Sequence, residues 1–183
     1  MSAKTSLSEL DLICKQAQEA KIDLRRSSKA KKNDALKYAA EFLLKNKAKL
    51  IDANTIDMEL ASQKDLQDSF VDRLELNEKR IDSMISGLDK VINLDDPVGQ
   101  TDQPHTSPSG FEVSKMRVPL GVIGIIYESR PNVTADASAL CLKSGNACIL
   151  RGGSEAANSN AVIEECMQDG LDKASLPKYS IQL

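Results

Sequence analysis

The sequence is poor in the residues that build metal, redox and disulfide sites. Its 183 residues include no tryptophan, one histidine and four cysteines. The histidine, His105, lies in a segment rich in proline and serine, so we expect an exposed loop residue and no zinc site. The cysteines lack C-x-x-C spacing and lie among apolar neighbours, which predicts reduced, buried thiols of a cytosolic protein. They are Cys14, Cys141, Cys148 and Cys166.

Long apolar runs and a basic stripe are also absent. No stretch approaches the roughly 18 apolar residues of a membrane span. Residues 1–12 are polar and acidic and do not resemble a signal peptide. The net charge is −3, which disfavours nucleic acid as a partner. Together these absences predict a cytoplasmic protein without a nucleic-acid or membrane partner.

The apolar residues that are present predict a helical first half. Apolar residues make up 41% of the chain and charged residues 28%, which is typical of a soluble globular protein. Leu7, Leu10, Cys14 and Ala17 follow helical spacing, so we predict an amphipathic helix over Leu7 to Ile22.

Three further helices are predicted before residue 100. Ser27 or Ser28 can cap a second helix, whose run Lys29 to Lys32 reads as a solvated face. A third helix covers Lys47 to Ala61 after a break near Asn46. Asn77 can cap a fourth helix, which carries the clearest apolar stripe and ends at Asp95 to Gly99.

A loop or hairpin tip is predicted over Gln100 to Gly110 because this stretch contains two prolines and several serines and threonines. Phe111 to Val118 then alternates well enough for a strand, with charges on both faces. Exposed strands of this kind often pair with another chain or another domain.

From residue 119 the pattern becomes strand, turn, helix, strand, turn, helix, which is typical of an α/β nucleotide-binding sheet. The predicted elements are the strand Val122 to Tyr127, the corner Glu128 to Asn132, the helix Thr134 to Lys143, the strand Ala147 to Leu150, and the helix Glu155 to Lys173 with Ser154 as N-cap. Gly145 is predicted to end the first of these helices in a left-handed conformation, with Asn146 bonding the turn.

The turn Arg151-Gly152-Gly153-Ser154 is a candidate anion cradle. Glycines let a backbone approach a phosphate, the following helix offers N–H groups, and a guanidinium can bind two phosphate oxygens. The alternative is a tight structural turn with Arg151 in solvent. The turn is not a G-x-G-x-x-G fingerprint, so ordinary pyrophosphate binding is not implied.

The corner Glu128-Ser129-Arg130-Pro131-Asn132 is a second candidate site, since residues just beyond a parallel strand line the ligand crevice. Arg130 and Asn132 can both donate hydrogen bonds to developing negative charge. The alternative is a turn stiffened by Pro131, with Glu128 and Arg130 paired at the surface.

The last residues, Tyr179 to Leu183, read as the start of another strand. A doubly wound sheet usually needs more strands to bury both faces of its first ones. We therefore expect an α/β fold that is incomplete at its C-terminus, the front part of a longer protein.

Long motifs resemble those of the γ-glutamyl phosphate reductases, a branch of the aldehyde dehydrogenase superfamily. The resemblance lies in VPLGVIGIIYESRPNVT (Val118 to Thr134), CLKSGNA (Cys141 to Ala147) and ILRGGSEA (Ile149 to Ala156), with a further likeness over Val71 to Gly99. It implies a helical part of the cofactor domain at 1–99, oligomerisation strands at 100–118, a partial βαβαβ nucleotide-binding region at 119–183, and no catalytic domain.

The resemblance implies that the whole protein reduces L-glutamate 5-phosphate to L-glutamate 5-semialdehyde with NADPH, in proline biosynthesis. It implies a homo-oligomer and a nucleophilic cysteine beyond residue 183, so that neither Cys141 nor Cys148 is catalytic and the chain alone is inactive. Arg151, with Gly152, Gly153 and Ser154, would contact the adenosine ribose and its 2′-phosphate.

Arg130 or Asn132 would then stabilise the oxyanion, or Arg130 would hold the acyl phosphate or the substrate carboxylate. Two other interpretations remain open. The chain can be a catalytically silent nucleotide- or partner-binding module, or part of another acyl-phosphate or aldehyde dehydrogenase.

Overall fold

A computed structural model describes the backbone of residues 2–64 and 66–183 and the side chains of residues 9–64 and 66–183. In chain order the helices are α1 (Ser2–Leu24), α2 (Lys29–Lys45), α3 (Lys47–Ser62), α4 (Asp68–Leu74), α5 (Glu78–Asn93), α6 (Pro131–Lys143) and α7 (Ala157–Lys173). The strands are β1 (His105–Thr106), β2 (Glu112–Val113), β3 (Val122–Ile126), β4 (Ala147–Arg151) and β5 (Ile181–Gln182), and 3-10 turns cover Ser154–Ala156 and Lys178–Ser180.

Polar caps set the helix boundaries where the sequence predicted them. The Ser28 side chain accepts a hydrogen bond from the Lys31 N–H at the start of α2. Asn77 does the same for the Arg80 N–H at the start of α5. Asn46 separates α2 from α3, and Gly145 ends the α6 segment with a φ of 74°. Each of these signals acts within a few residues of the chain, so the sequence predicted them correctly.

The buried stripe of α1 is displaced from the predicted one. Ala17, Ala20 and Leu24 are buried, whereas Leu10 is 51% exposed and Cys14 is exposed. The predictions that Cys14 is buried and that Leu10 faces the core were therefore wrong, while the other three cysteines are buried as expected. The predicted stripe also included Leu7, whose side chain lies outside the described residues.

The prediction that Lys29 to Lys32 form a solvated face was wrong at its last position. Lys32 is 1% exposed, and its ammonium lies 2.6 Å from Asp96 Oδ2. The same nitrogen donates to the main-chain oxygen of Lys143 at 3.0 Å. The charge is buried because two acceptors from distant segments meet it there.

Strands β3, β4 and β5 form a parallel sheet in that order. β3 pairs with β4 from Val122↔Ala147 to Ile126↔Arg151, and β4 pairs with β5 at Cys148↔Ile181 and Ile149↔Gln182. Helix α1 covers the face of Ile149 and Gln182, because the Gln182 side chain donates to the Ile13 main-chain oxygen at 3.1 Å.

Small residues allow α2 and α7 to pack closely in the core. A Cβ added at Gly170 would lie 2.6 Å from the Ala35 oxygen and 2.9 Å from the Ala39 Cβ. The α2 and α7 helices thus meet at the backbone, and the surrounding core includes Leu36, Leu43 and Ile163.

Residues 99–117 form an exposed hairpin in which β1 pairs antiparallel with β2. An isolated bridge joins Thr101 and Met116, and the Arg117 N–H donates to the Gln100 oxygen. The predicted strand Phe111 to Val118 is reduced to Glu112–Val113 and the isolated bridge at Met116. Phe111 is 72% exposed, and His105 is exposed in β1.

The α/β fold class predicted from the sequence is confirmed: a helical first half leads into a parallel sheet flanked by helices. None of the helices in the described residues is long and apolar enough to cross a membrane.

Candidate functional site

The two candidate segments lie side by side at the carboxyl ends of β3 and β4. Ile126 is the register partner of Arg151, and the Tyr127 N–H donates to the Arg151 oxygen at 3.1 Å. Ligands of open α/β sheets bind in the crevice at this end of the strands. The corner Glu128 to Asn132 and the turn Arg151 to Ser154 therefore share one edge of the molecule.

Gly152 and Gly153 allow the turn to pack against the corner. A Cβ added at Gly153 would lie 2.0 Å from Ser129 Oγ, and one added at Gly152 would lie 2.4 Å from Asn160 Nδ2 and 3.1 Å from the Tyr127 ring. The space that a side chain would fill thus belongs to neighbouring protein groups. The glycines have a clear packing role, in addition to any approach of a ligand from the open side.

Glu155 joins the two segments, and sequence reasoning did not single it out. Its carboxylate accepts hydrogen bonds from Lys64 Nζ at 2.9 Å, Ser129 Oγ at 2.9 Å and Ser154 Oγ at 3.2 Å. The Lys64 ammonium, with the backbone and the Ser129 hydroxyl, lowers the pKa of Glu155 to about 2. The carboxylate therefore stays ionised and holds the corner against the turn.

Replacing Glu155 by glutamine is expected to destabilise the fold more at pH 7 than at pH 3. The pKa of Glu155 falls from 4.5 to about 2 on folding, so its contribution is complete above about pH 4.5. That contribution is lost as the pH falls toward 2. Urea unfolding of wild type and variant at both pH values measures the difference. Glu59→Gln, an exposed change on α3, is the control and should show no such trend. A difference equal at both pH values would contradict the expectation.

The prediction that Ser154 caps the last helix was wrong. Ser154 opens a 3-10 turn, and α7 begins at Ala157 without a side-chain cap from its own segment. Instead Asp57 of α3 reaches across. Its carboxylate accepts the Asn158 N–H at 3.1 Å and the Ser159 N–H at 2.8 Å. The sequence had suggested that the N–H groups at the start of this helix could bind a phosphate. These two N–H groups are not free to do so.

Arg151 is exposed at this edge. It is the last residue of β4, and no carboxylate in the described part of the chain lies within ion-pair distance of its guanidinium. Ser154 is also exposed, although its hydroxyl is directed to Glu155. The turn therefore offers one unpaired guanidinium to an anionic ligand.

The corner after β3 is partly helical, because Pro131 occupies the first turn of α6. Arg130 precedes it and places Nε 3.2 Å from Glu128 Oε2, which also accepts Arg73 Nη1 at 3.0 Å. The surface pairing of Glu128 with Arg130, one of the two alternatives, is thus present. Asn132 donates to Asp136 Oδ2 at 3.2 Å.

A cleft of 320 Å³ opens beside this corner, between α4, the first half of α5 and the first two turns of α6. Arg130 and Asn132 line it, together with Arg73, Arg80 and Asp136. Its floor is apolar and includes Leu76, Met84 and Val133. The structure thus brings both predicted residues of the corner to one cleft, while Arg151 to Ser154 lie at the neighbouring strand end.

Two of the three buried thiols, those of Cys148 and Cys166, have raised pKa values, whereas the hydrogen bond with Cys148 lowers the pKa of Cys141. A hydrogen bond with Cys141, together with burial, raises the pKa of the Cys148 thiol within β4. Burial raises the pKa of Cys166 to about 11. A thiol must ionise to attack, so the Cys148 and Cys166 side chains act as small apolar residues of the core.

The amino-acid sequence of the chain is similar to those of curated γ-glutamyl phosphate reductases. The γ-glutamyl phosphate reductase of Clostridium beijerinckii is 49% identical over 177 residues, which cover 97% of this chain and 43% of that protein. That of Halothermothrix orenii is 53% identical over 152 residues, covering 83% of this chain and 36% of that protein. The chain therefore spans less than half the length of these curated relatives.

Solved structures of γ-glutamyl phosphate reductases are also similar to this chain. The crystal structure of γ-glutamyl phosphate reductase from Thermotoga maritima matches with a TM-score of 0.90 and 44% identity, over 95% of this chain and 42% of that one. The Saccharomyces cerevisiae enzyme matches with a TM-score of 0.88 and 33% identity, over 94% and 45%. The resemblance seen in the sequence motifs is confirmed. The pattern of the aldehyde dehydrogenase family covers residues 2–182, and the chain belongs to that family.

Proposed function

We propose that this chain serves the NADPH-dependent reduction of L-glutamate 5-phosphate to L-glutamate 5-semialdehyde and phosphate, a cytoplasmic step of proline biosynthesis. The observation that carries the proposal is the pairing of the two strand ends. An exposed guanidinium follows β4, and a charged cleft opens beside the corner that follows β3. The 49% identity to the C. beijerinckii reductase supports the choice of substrate.

The β4 end would hold the adenosine part of the cofactor, which supplies a hydride when bound. Arg151 would pair with the 2′-phosphate, because its guanidinium is exposed and unpaired among the described residues. Gly152 and Gly153 let the turn pack closely against the corner at Ser129, and Ser154 adds a hydroxyl group at the end of the turn. Because Asp57 already caps α7, an anion bound at this turn would pair with Arg151 rather than with the start of that helix.

The β3 end would form one wall of the substrate pocket. Arg130 would hold the acyl phosphate or the substrate carboxylate, while Arg130 or Asn132 would donate to the oxyanion. Arg130 would supply the positive charge for the anionic group; its Nε pairs with Glu128 Oε2, and the Asn132 amide donates to Asp136.

We also propose that the 183 residues alone do not turn over substrate and that the whole enzyme is a homo-oligomer joined through the hairpin. Burial and neighbouring groups raise the pKa of the Cys148 and Cys166 thiols, which disfavours both as nucleophiles. The hairpin at 99–117 exposes Phe111 and Met116, which favours burial against another copy.

An assay of the complete reading frame tests the reaction. Given L-glutamate 5-semialdehyde, the enzyme should reduce NADP only when phosphate is present, and the 183-residue chain should show no reduction. Reduction without phosphate would point to another aldehyde dehydrogenase. Nucleotide binding without any turnover in the complete protein would support a silent binding module instead.

Arg151→Gln is expected to weaken NADPH binding 10- to 100-fold and to leave NADH binding nearly unchanged. The variant removes the charge that faces the 2′-phosphate, which only NADPH carries. Titration of nucleotide fluorescence with the complete protein measures both affinities. Arg25→Gln, an exposed arginine between α1 and α2, is the matched control. Equal loss of both nucleotides, or no loss, would refute the assignment of the 2′-phosphate.

A further inference from the structure

The cleft beside α6 combines an apolar floor with a particular arrangement of charge. Leu76, Met84 and Val133 form the floor. The arginines that line the cleft already have carboxylate partners. Arg80 Nη2 lies 2.6 Å from Asp72 Oδ1, and Arg73 and Arg130 both pair with Glu128.

Asp136 is different, because its carboxylate has no cation. Among the described side chains, those of residues 9–64 and 66–183, no lysine or arginine nitrogen lies within ion-pair distance of it. Its described side-chain hydrogen bond comes from the neutral amide of Asn132 at 3.2 Å. The side chain is half-buried, and burial raises the pKa of Asp136. A desolvated carboxylate without a counter-charge favours the approach of a cation.

The packing of α5 keeps this carboxylate in place. A Cβ added at Gly87 of α5 would lie 3.3 Å from Asp136 Oδ1, closer than ordinary van der Waals contact. The absence of a side chain at Gly87 therefore leaves room for one carboxylate oxygen, while the Asn132 amide holds the other. The Asn132 amide thus orients Asp136 before any ligand arrives.

We propose that Asp136 receives the α-ammonium group of the glutamyl substrate, with Asn132 as the residue that positions its carboxylate. This inference rests on the proposed function. Asp136 would then determine specificity, because it distinguishes the amino-acid substrate from 5-oxopentanoate, the corresponding aldehyde without the amino group.

The distance along α6 suits the substrate. Asp136 lies five residues beyond Pro131, the first residue of α6, so its backbone is about 7.5 Å from the start of the helix at a rise of about 1.5 Å per residue, and Arg130 directly precedes that start. Seven bonds separate a terminal phosphate oxygen from the ammonium nitrogen in glutamyl phosphate, or about 8 Å at the advance of an extended chain. An anion at Arg130 and an ammonium group at Asp136 would thus lie at the two ends of one extended molecule, with its methylenes on the apolar floor.

The test compares two aldehydes in the complete protein with NADP and phosphate: L-glutamate 5-semialdehyde and 5-oxopentanoate, which lacks the amino group. Wild type should prefer the amino acid. Asp136→Asn should lower the ratio of kcat/KM for the two aldehydes 10- to 100-fold, chiefly through the KM of the amino acid. Asn132→Ala should lower it less, and Asp136→Glu should recover part of it. Asp89→Asn removes an exposed carboxylate of α5 outside the cleft and should leave the ratio unchanged.

The outcomes separate this inference from the proposed function. If wild type is active and Asp136→Asn keeps the full preference, the ammonium site is refuted while the reaction stands. If wild type reduces no NADP with either aldehyde, the proposed reaction fails, and calorimetry with L-glutamate decides the site. Binding of L-glutamate that weakens at least tenfold in Asp136→Asn but not in Asp89→Asn supports it, and absence of binding to wild type overturns it.

Discussion

Replacing Asp57 by alanine is expected to lower the free energy of unfolding by about 3–5 kcal/mol, comparable with breaking a buried charge network. Asp57 is 1% exposed. Its Oδ1 accepts from the main chain and side chain of Asn158, and its Oδ2 accepts from the main chain and hydroxyl of Ser159. The alanine variant would leave these donors buried without the charge that stabilises the start of α7.

Urea unfolding at neutral pH measures this effect. Asp57→Asn keeps the shape and one oxygen, so it should lose less than alanine does. The control is Asp52→Ala on the exposed side of the same helix, which should change stability by no more than about 0.5 kcal/mol. A loss below about 1 kcal/mol in Asp57→Ala would contradict the capping role. A large loss should also disturb the Arg151 to Ser154 turn, because that turn leads directly into α7.

Replacing Lys32 by methionine is also expected to cost about 3–5 kcal/mol. The Lys32 ammonium lies 2.6 Å from Asp96 Oδ2, and the two side chains are 1% and 14% exposed. It also holds the Lys143 oxygen at the end of α6. Methionine keeps the length and the packing but leaves the Asp96 carboxylate and this carbonyl without their donor. The connector after α5 should then separate from α2 and α6.

An exposed pair of equal length provides the control. Lys47 Nζ also lies 2.6 Å from a carboxylate, Asp82 Oδ1, but these side chains are 23% and 58% exposed. Lys47→Met should therefore cost no more than about 1 kcal/mol. In a double-mutant cycle, Asp96→Asn should recover part of the loss caused by Lys32→Met, since no unpaired charge remains. Similar losses for Lys32→Met and Lys47→Met would show that burial does not set the difference.

Local signals explain what could be predicted. Ser28 and Asn77 cap helices through N–H groups three residues away, so the sequence around each cap suffices. The β3 and β4 strands follow from short apolar runs, and Gly145 follows from the end of α6. The positions of Arg130, Asn132 and Arg151 at one edge follow from their place after parallel strands.

Interactions between residues far apart in the chain explain what the sequence could not predict. Asp57 and Lys32 read as ordinary polar residues of amphipathic helices, and nothing within four residues of either marks it as buried. Their partners lie 102 and 111 residues away, at Ser159 and Lys143. Ser154 looked like a helix cap because its neighbours fit that pattern, whereas the helix end is capped by α3. Asp136 escaped notice because α4 and α5, which form the other side of its cleft, lie far from it in the chain.

The sequence by itself determined most of the helices and strands, though not α4 or β1, together with the family and the two strand ends that carry the candidate site residues. These depend on apolar periodicity, caps and long motifs, all of which are properties of neighbouring residues. Only the tertiary structure decided that α7 is capped from α3, that Lys32 is buried, and that Glu155 joins the corner to the turn. Those interactions arise when segments far apart in the chain pack together, and burial then makes each unpaired charge or donor costly.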